Sequence, residues 1–201
     1  MDFFFTFIRS QLFTRLPYPN WNFDGQTVVV TGSNTGLGLE AARHVVRLGA
    51  GKVILAVRNI AKGQAAAEDI LHTTGSKKNV IDVWQLDLSD YESIKKFGAR
   101  IQTLDRLDAF IQNAGILTQT FTLSEQSGLE SHIDVNCVSS VLVGLFALKK
   151  LKETSLKYST RTRLSFVGSE LHYLAKCKEA DAAGSLLEAL SDKELSDMSD
   201  R

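Results

Sequence analysis

The sequence has few of the residues that mark secreted, metal-binding or nucleic-acid-binding proteins. Its two cysteines, Cys137 and Cys177, are too few for a disulfide framework and lack the spacing of metal ligands. We therefore expect no metal site and a reducing, cytoplasmic location. The 23 basic residues balance 23 acidic ones, so no excess positive charge favours a phosphate backbone. Nucleic acid is thus not an expected partner.

A hydrophobic run long enough to span a bilayer is also missing at the amino terminus. The aromatic run there is short, and it lacks both the basic leader and the cleavage site of a secretory signal; its apolar members are Phe3, Phe4, Phe5, Phe7 and Ile8. Two interpretations remain open: a helix packed across the domain, which we favour, or a shallow anchor at a membrane interface. Pro17 and Pro19, the only prolines, end any such helix and predict a linker.

The 201 residues fit one domain, in which short apolar segments alternate with helical patterns. Strands are predicted at 27–31, 53–57, 80–86, 107–112 and 163–167. Nearly continuous apolar strands separated by helices are typical of a parallel sheet covered on both faces. The expected fold class is therefore α/β, a doubly wound parallel sheet of the Rossmann type. We divide the chain into an apolar segment and linker (1–22), a nucleotide-binding domain (23–169) and a polar helical tail (170–201).

Three helices are predicted from apolar residues at helical spacing. The first contains Leu37, Ala41, Val45 and Leu48 and ends near Gly49. The second spans the stripe from Tyr91 to Leu104, and Ser89 with Glu92 predicts a capping box at its start. The third extends from about 133 to 151, and its inward side is predicted to consist of Val138, Val141, Leu142 and Leu145.

A glycine-rich turn follows the first strand and opens the first helix. Glycine allows the main chain to approach a pyrophosphate, and the helix N-terminus offers it N–H groups and a positive dipole end. Glycines also serve tight turns, so the strand-turn-helix context is what supports phosphate binding. The candidate cofactor-binding residues of this turn are Gly32, Ser33, Asn34, Gly36, Leu37 and Gly38.

The spacing Thr-Gly-x-x-x-Gly-x-Gly at 31–38 resembles the short-chain dehydrogenase/reductase family. A second motif of that family, Asn-Ala-Gly, is matched by Asn113, Ala114 and Gly115 directly after the fourth predicted strand. Both motifs stand in the expected order, and the resemblance covers roughly 23–169. Residues 55–59 look closest to retinol-dehydrogenase-like and fungal biosynthetic members. The resemblance implies an oxidoreductase with a nicotinamide cofactor.

The end of the second strand indicates which nicotinamide cofactor is used. An NAD site places an acid there, whereas this chain has Arg58, followed by Lys62. A guanidinium binds a 2′-phosphate through charge-assisted hydrogen bonds, so we expect NADP. The alternative is a solvated basic pair beside a loop. By resemblance, Asp87 accepts a hydrogen bond from the adenine amine, although it is also a candidate helix cap, and Asn113 lies beside the adenosine ribose.

The resemblance implies a catalytic set of Asn, Ser, Tyr and Lys. Asn136 and Ser169 stand where the family has its Asn and Ser; the alternatives are a packing residue within a helix and a plain strand-end turn. No Tyr-x-x-x-Lys follows the fifth predicted strand. Tyr91 and Lys95 have that spacing, but they precede the fourth strand, so we treat them as a chance match.

The expected function is an NADP-dependent interconversion of an alcohol and a carbonyl on a small hydrophobic substrate. The polar tail resembles an insertion that precedes the tyrosine in retinol-dehydrogenase-like relatives, so the fold is expected to be truncated at its carboxyl end. The alternative is a catalytically inactive remnant that at most binds NADP(H). A homo-oligomer remains open.

Overall fold

The computed structural model describes residues 3–76, 78–182 and 184–200. Five parallel strands form one sheet in the order β3-β2-β1-β4-β5. The strands are β1 (Thr27–Thr31), β2 (Lys52–Val57), β3 (Ile81–Gln85), β4 (Ala109–Gln112) and β5 (Arg163–Phe166). Each matches a strand predicted from the sequence, with ends displaced by one or two residues at most. The doubly wound α/β fold is therefore confirmed.

Helices connect these strands and cover both faces of the sheet. They are α2 (Gly36–Arg47), α3 (Ile60–Thr74), α4 (Tyr91–Gln102) and α5 (Ser140–Tyr158). Outside this set, α1 (Phe3–Phe13) precedes β1 and α6 (Leu186–Leu190) follows β5. A π-helical turn, Ile133–Ser139, leads directly into α5. Residues after β5 form α6 and three short 3₁₀ turns, Glu170–Tyr173, Lys178–Asp181 and Met198–Asp200. A further 3₁₀ turn, Lys78–Val80, precedes β3.

The central strand β1 explains why the strands are almost continuously apolar. Val28 and Val30 face the cluster that packs under α2 and α3, whereas Val29 faces the cluster under α4 and α5. Every residue of β1 is buried, so the side chains on both faces of the strand are shielded from solvent. The strand order reverses beside β1, and this switch point places the turns after β1 and β4 next to each other.

The predicted inward side of the third helix is wrong. Val138, Val141 and Leu145 are exposed and Leu142 is only partly buried; the inward residues of α5 include Val143, Ala147 and Leu151. The helix has apolar residues on both sides, so apolar spacing does not identify the packed side. The small residues Gly144 and Ala147 lie on the packed side. Gly144 has no room for a side chain there, because a Cβ would lie 2.6 Å from Cζ of Phe166.

The prediction that Ser89 caps α4 in a capping box with Glu92 is wrong, since the N-cap lies one residue later. Asp90 is the N-cap, and its Oδ1 accepts a hydrogen bond from the Glu92 N–H at 2.9 Å. Ser89 is not available as the cap because its hydroxyl donates to Oδ1 of Asp87 at 2.6 Å. Ser and Asp are both good N-caps, so their order alone did not identify which one is used.

The amino-terminal segment does not pack as expected. The described apolar side chains of α1 are exposed, so a helix buried across the domain is not what the structure shows; the side chains of Phe3 and Phe4 lie outside the described residues. Helix α1 ends at Phe13, and the residues around Pro17 and Pro19 are irregular. None of the described helices has the length and apolar character required to cross a bilayer.

Close packing of α4 on α5 yields a test of the fold. A Cβ on Gly98 would lie 2.6 Å from Cγ of Phe146, so Gly98→Val is expected to destabilise the domain by about 1–3 kcal/mol through overpacking. The neighbouring exposed position provides the control, Ala99→Val, with an expected change within about 0.5 kcal/mol. Urea unfolding followed by circular dichroism measures both. Equal midpoints for the two variants would contradict the packing described.

Candidate functional site

A buried hydroxyl joins the turns that follow β1 and β4. Oγ1 of Thr31 accepts hydrogen bonds from the N–H groups of Asn113 and Ala114, both at 2.9 Å. The same hydroxyl donates to Oε1 of Gln112 at 3.0 Å. Thr31 has no solvent exposure, so these protein groups supply its partners. The glycine-rich turn is thereby held against the Asn-Ala-Gly segment.

The polar contacts continue from these turns into the π-helical turn. Nδ2 of Asn113 donates to the carbonyl oxygen of Thr31 at 3.0 Å, which adds another hydrogen bond between the turns after β1 and β4. Nε2 of Gln112 donates to Oγ of Ser140 at 3.0 Å, and Ser140 donates to the carbonyl oxygen of Val135 at 3.0 Å. The ends of two strands and the start of α5 therefore form one hydrogen-bonded unit.

Two glycines are required by the close approach of these segments. Gly32 has φ +64°, and a Cβ there would lie 2.9 Å from Cα of Ala114. A Cβ on Gly38 would lie 2.5 Å from both Nδ2 of Asn113 and the carbonyl oxygen of Gly32. A side chain at either position would separate the two turns.

A cleft of about 470 Å³ lies at the carboxyl edge of the sheet, over these turns. It is lined by segments that follow four strands: Gly32, Asn34, Thr35, Arg58, Leu86–Ser89 and Asn113–Ile116, together with Ala56, Ser131 and Val135. Helix α2 begins beside this cleft, and its N-cap, Thr35, makes no side-chain hydrogen bond to the helix. The first N–H groups of α2 are thus not capped by that side chain, which suits an anionic group.

Arg58 and Asp87 bring opposite charges to the cleft. Arg58 follows β2 directly and is exposed, so its guanidinium reaches a ligand without a burial cost. Asp87 is half-buried, and its Oδ1 accepts hydrogen bonds from the N–H of Ser89 at 3.0 Å and from its hydroxyl at 2.6 Å. Ser89 therefore orients the Asp87 carboxylate, rather than capping α4.

Five residues of the predicted cofactor set do not line the cleft. Ser33 is buried, and its hydroxyl donates to the carbonyl oxygen of Val30 at 2.8 Å, which closes the turn. The side chains of Leu37 and Lys62 are exposed outside the lining. The N–H of Lys62 donates to Oδ1 of Asn59 at 3.0 Å, the N-cap of α3. Gly36, with φ +58°, and Gly38 shape the turn but likewise do not line the cleft.

Asn136 and Ser169 line a second cavity, of about 370 Å³, that adjoins the cleft. The two cavities share Asn113, Ala114 and Gly115 in their walls. Asn136 lies in the π-helical turn, where its Oδ1 accepts from the N–H of Ile116 at 2.8 Å and its Nδ2 donates to the Ile116 carbonyl at 2.9 Å. Both polar atoms of the amide therefore hold the segment after the Asn-Ala-Gly motif.

Tyr91 and Lys95 line neither cavity. The Tyr91 hydroxyl donates to Oδ1 of Asp134 at 2.5 Å, and burial, with this hydrogen bond, raises the pKa of Tyr91. Nζ of Lys95 pairs with Glu92 at 2.6 Å on the outer side of α4. The Tyr91 hydroxyl is thus engaged by Asp134 and the Lys95 ammonium by Glu92, so the hydrogen bonds of the two side chains go to acids and not to each other.

A buried polar pair that no sequence motif indicates supports the wall of the cleft. Oε1 of Glu130 lies 3.0 Å from Nδ1 of His132, and Nε2 of His132 accepts from the N–H of Thr118 at 3.0 Å. Burial opposes ionisation of Glu130, but hydrogen bonds from His132 and Ser131 hold its pKa below the usual value. The N–H of Glu130 also donates to Oγ of Ser191 at 2.9 Å. Neighbouring acid and histidine residues have no distinctive spacing, so no sequence signal marks them.

Comparison with known proteins places this geometry in a family. The family model for short chain dehydrogenases matches residues 26–157. A short chain dehydrogenase/reductase of Cryptosporiopsis sp., dmxR8, is 46% identical over 189 residues, which cover 93% of this chain and 58% of that protein. A short chain dehydrogenase of Gibberella zeae, FGM9, is 38% identical over 198 residues, which cover 98% of this chain and 57% of that protein. The chain thus spans somewhat more than half the length of these relatives.

A solved structure shares the fold at lower sequence identity. A short-chain dehydrogenase from Sphingobium yanoikuyae, solved in complex with NADPH, superposes with a TM-score of 0.59 at 19% identity. The match covers 74% of this chain and 55% of that one. The parallel sheet, the interlocked turns after β1 and β4 and the matched family model lead to one conclusion. The chain belongs to the short-chain dehydrogenase family of oxidoreductases.

Proposed function

We propose that this chain forms the NADP(H)-binding part of an oxidoreductase that interconverts an alcohol and a carbonyl on a small hydrophobic substrate. The observation that carries the proposal is the cleft at the switch point, which has Arg58 at the end of β2 where an NAD site has an acid. A guanidinium at that point suits the 2′-phosphate of NADP(H). The small number of cysteines, two in 201 residues, suits a reducing cytoplasm.

The glycine-rich turn fits a pyrophosphate. In this proposal, the backbone of Gly32–Gly38 and the first turn of α2 surround the phosphates, with Asn34 at the wall of the cleft. Ser33 and Gly38 keep the turn closed, and Gly36 leaves open space where a Cβ would stand. Lys62, exposed in the first turn of α3, adds positive charge on the same side as Arg58, and Leu37 contributes only through its backbone.

The adenosine half fits the segments after β3 and β4. We assign the Asp87 carboxylate, oriented by Ser89, as the acceptor for the adenine amine. Asn113, Ala114 and Gly115 line both cavities, and we place the ribose next to Asn113 and the nicotinamide side beyond Gly115. The nicotinamide, when bound, supplies or accepts a hydride.

The second cavity suits the substrate. Ser169 would donate a hydrogen bond to the substrate oxygen, and Asn136 would hold the wall through its two hydrogen bonds to Ile116. Phe166 and Val167 add apolar surface to the same cavity, which favours a hydrophobic substrate. These residues orient a carbonyl or alcohol, but they include no general acid.

A second candidate function is NADP(H) binding without turnover. It is favoured by the absence of a Tyr-x-x-x-Lys pair after β5 in the 201 residues. A general acid contributes about 10²- to 10⁴-fold to a rate, so its absence from this stretch leaves binding as the activity to measure first. Turnover of NADPH with an added ketone distinguishes the two functions.

The assignment of Arg58 predicts a change in cofactor preference. Loss of charge-assisted hydrogen bonds in Arg58→Ala is expected to weaken NADPH binding by about 10- to 100-fold, with NADH binding unchanged. Fluorescence titration of both nucleotides measures this. Arg161→Ala, an exposed arginine between α5 and β5, is the matched control and keeps NADPH affinity within about twofold. An unchanged NADPH affinity in Arg58→Ala would show that the 2′-phosphate lies elsewhere.

The assignment of Asp87 predicts a different pattern. The adenine amine is common to both nucleotides, so Asp87→Ala is expected to weaken NADPH and NADH equally, by about three- to tenfold. The same titration measures the ratio of the two dissociation constants, which should match that of the unsubstituted chain. A selective loss of one nucleotide, or no loss of either, is incompatible with adenine recognition by Asp87.

A further inference from the structure

The amino-terminal segment exposes an unusual amount of apolar surface. Phe5, Leu12 and Phe13 of α1 are 69%, 70% and 79% exposed, and the linker adds Leu16 and Trp21. Single exposed apolar residues are common on soluble domains, but a contiguous apolar segment marks a surface that contacts something.

The residues of α1 are not evenly distributed around the helix. Phe5, Ile8 and Leu12 are spaced by three and four residues and therefore share one side. Thr6, Arg9 and Ser10 share another by the same spacing. The helix is thus mostly apolar, with a narrow polar strip, as in helices that lie within a membrane interface.

The charge of this segment differs from that of the whole chain. Residues 3–23 include Arg9 and Arg15 but no Asp or Glu, although acids and bases balance over the full sequence. Both arginines are exposed. Tyr18 and Trp21, whose rings favour the level of lipid headgroups, follow within a few residues. Asp2 and Asp24 flank this segment. The segment itself combines apolar and aromatic residues with two arginines, which fits an anionic lipid surface.

The segment leaves the domain on the side opposite the nucleotide cleft. One guanidinium nitrogen of Arg47 donates to the Pro19 carbonyl at 2.8 Å, and the Arg47 guanidinium carbon lies 4.3 Å from the centre of the Tyr18 ring. Arg47 is the last residue of α2, whose first residue, Gly36, lies beside the cleft. A helix of this length extends about 18 Å. The linker residues that contact Arg47 are therefore separated from the cleft by the length of α2.

We propose that residues 3–21 anchor the chain to the surface of an anionic phospholipid membrane, with the nucleotide cleft turned toward water. Apolar side chains of α1 enter the headgroup region, Arg9 and Arg15 bind lipid phosphates, and Trp21 lies at the interface.

The two tryptophans of the chain make the proposal measurable. Trp84 is 4% exposed in the core, whereas Trp21 is 62% exposed in the linker. Addition of phosphatidylcholine vesicles containing phosphatidylglycerol is expected to shift the emission of Trp21 to the blue and to carry the chain upward in flotation. Vesicles of phosphatidylcholine alone should bind it more weakly. Trp21→Phe should lose the shift but still float.

Matched triple variants test which surface binds. Phe5→Ser/Ile8→Ser/Leu12→Ser should lower vesicle partitioning by about tenfold or more, because it removes the apolar side of α1. The control, Val141→Ser/Leu145→Ser/Leu156→Ser, removes exposed apolar residues of α5 and should keep the partitioning within about twofold.

Three results would overturn the proposal. One is a folded chain, recognised by the emission of its buried Trp84, that binds neither kind of vesicle. The second is equal vesicle binding by the α1 variant and the unsubstituted chain. The third is self-association that depends on Phe5, Ile8 and Leu12 and is unaffected by vesicles, which would assign α1 to a second copy of the chain.

Discussion

The site depends on the three hydrogen bonds of the Thr31 hydroxyl. This hydroxyl accepts hydrogen bonds from two backbone N–H groups after β4 and donates one to Gln112, and Thr31 has no solvent exposure. If that hydroxyl were absent, the partly buried N–H groups of Asn113 and Ala114 would lose this acceptor, at a cost of about 1 kcal/mol each. The position of Asn113 follows from it, and Gly32 and Gly38 are glycines because the joined turns leave no room for a Cβ. One side chain thus defines the floor of the cleft.

The order of the strands brings the remaining site residues to this floor. Since all five strands are parallel, their carboxyl ends lie at one edge, and Arg58 after β2 and Asp87 after β3 meet the turns after β1 and β4 there. Gln112 and Ser140 extend the hydrogen-bonded unit into the π-helical turn, which holds Asn136 beside the second cavity. The two cavities therefore share one hydrogen-bonded support, while the linker residues Tyr18 and Pro19 contact Arg47 at the far end of α2.

The sequence predicted those features that burial and glycine geometry impose. Strands buried on both faces leave continuous apolar segments, and the turn at 31–38 shows its glycines directly. The sequence did not predict features that depend on which of several similar residues takes a given role in the folded chain. Asp90 caps α4 because Asp87 engages Ser89; α5 has apolar residues on both sides; and the Glu130–His132 pair depends on the folding of a loop. The π-helical turn also has no propensity signal, although it positions Asn136.

The most direct test of this account is the NADPH dissociation constant of Thr31→Val compared with that of Thr31→Ser. Valine preserves the volume of threonine but removes the hydroxyl, whereas serine keeps the hydroxyl. We expect Thr31→Ser to bind NADPH within about threefold of the unsubstituted chain and Thr31→Val to lose about tenfold or more, with the sheet intact by circular dichroism. Equal affinity in the folded valine variant would show that the nucleotide site does not depend on this hydroxyl.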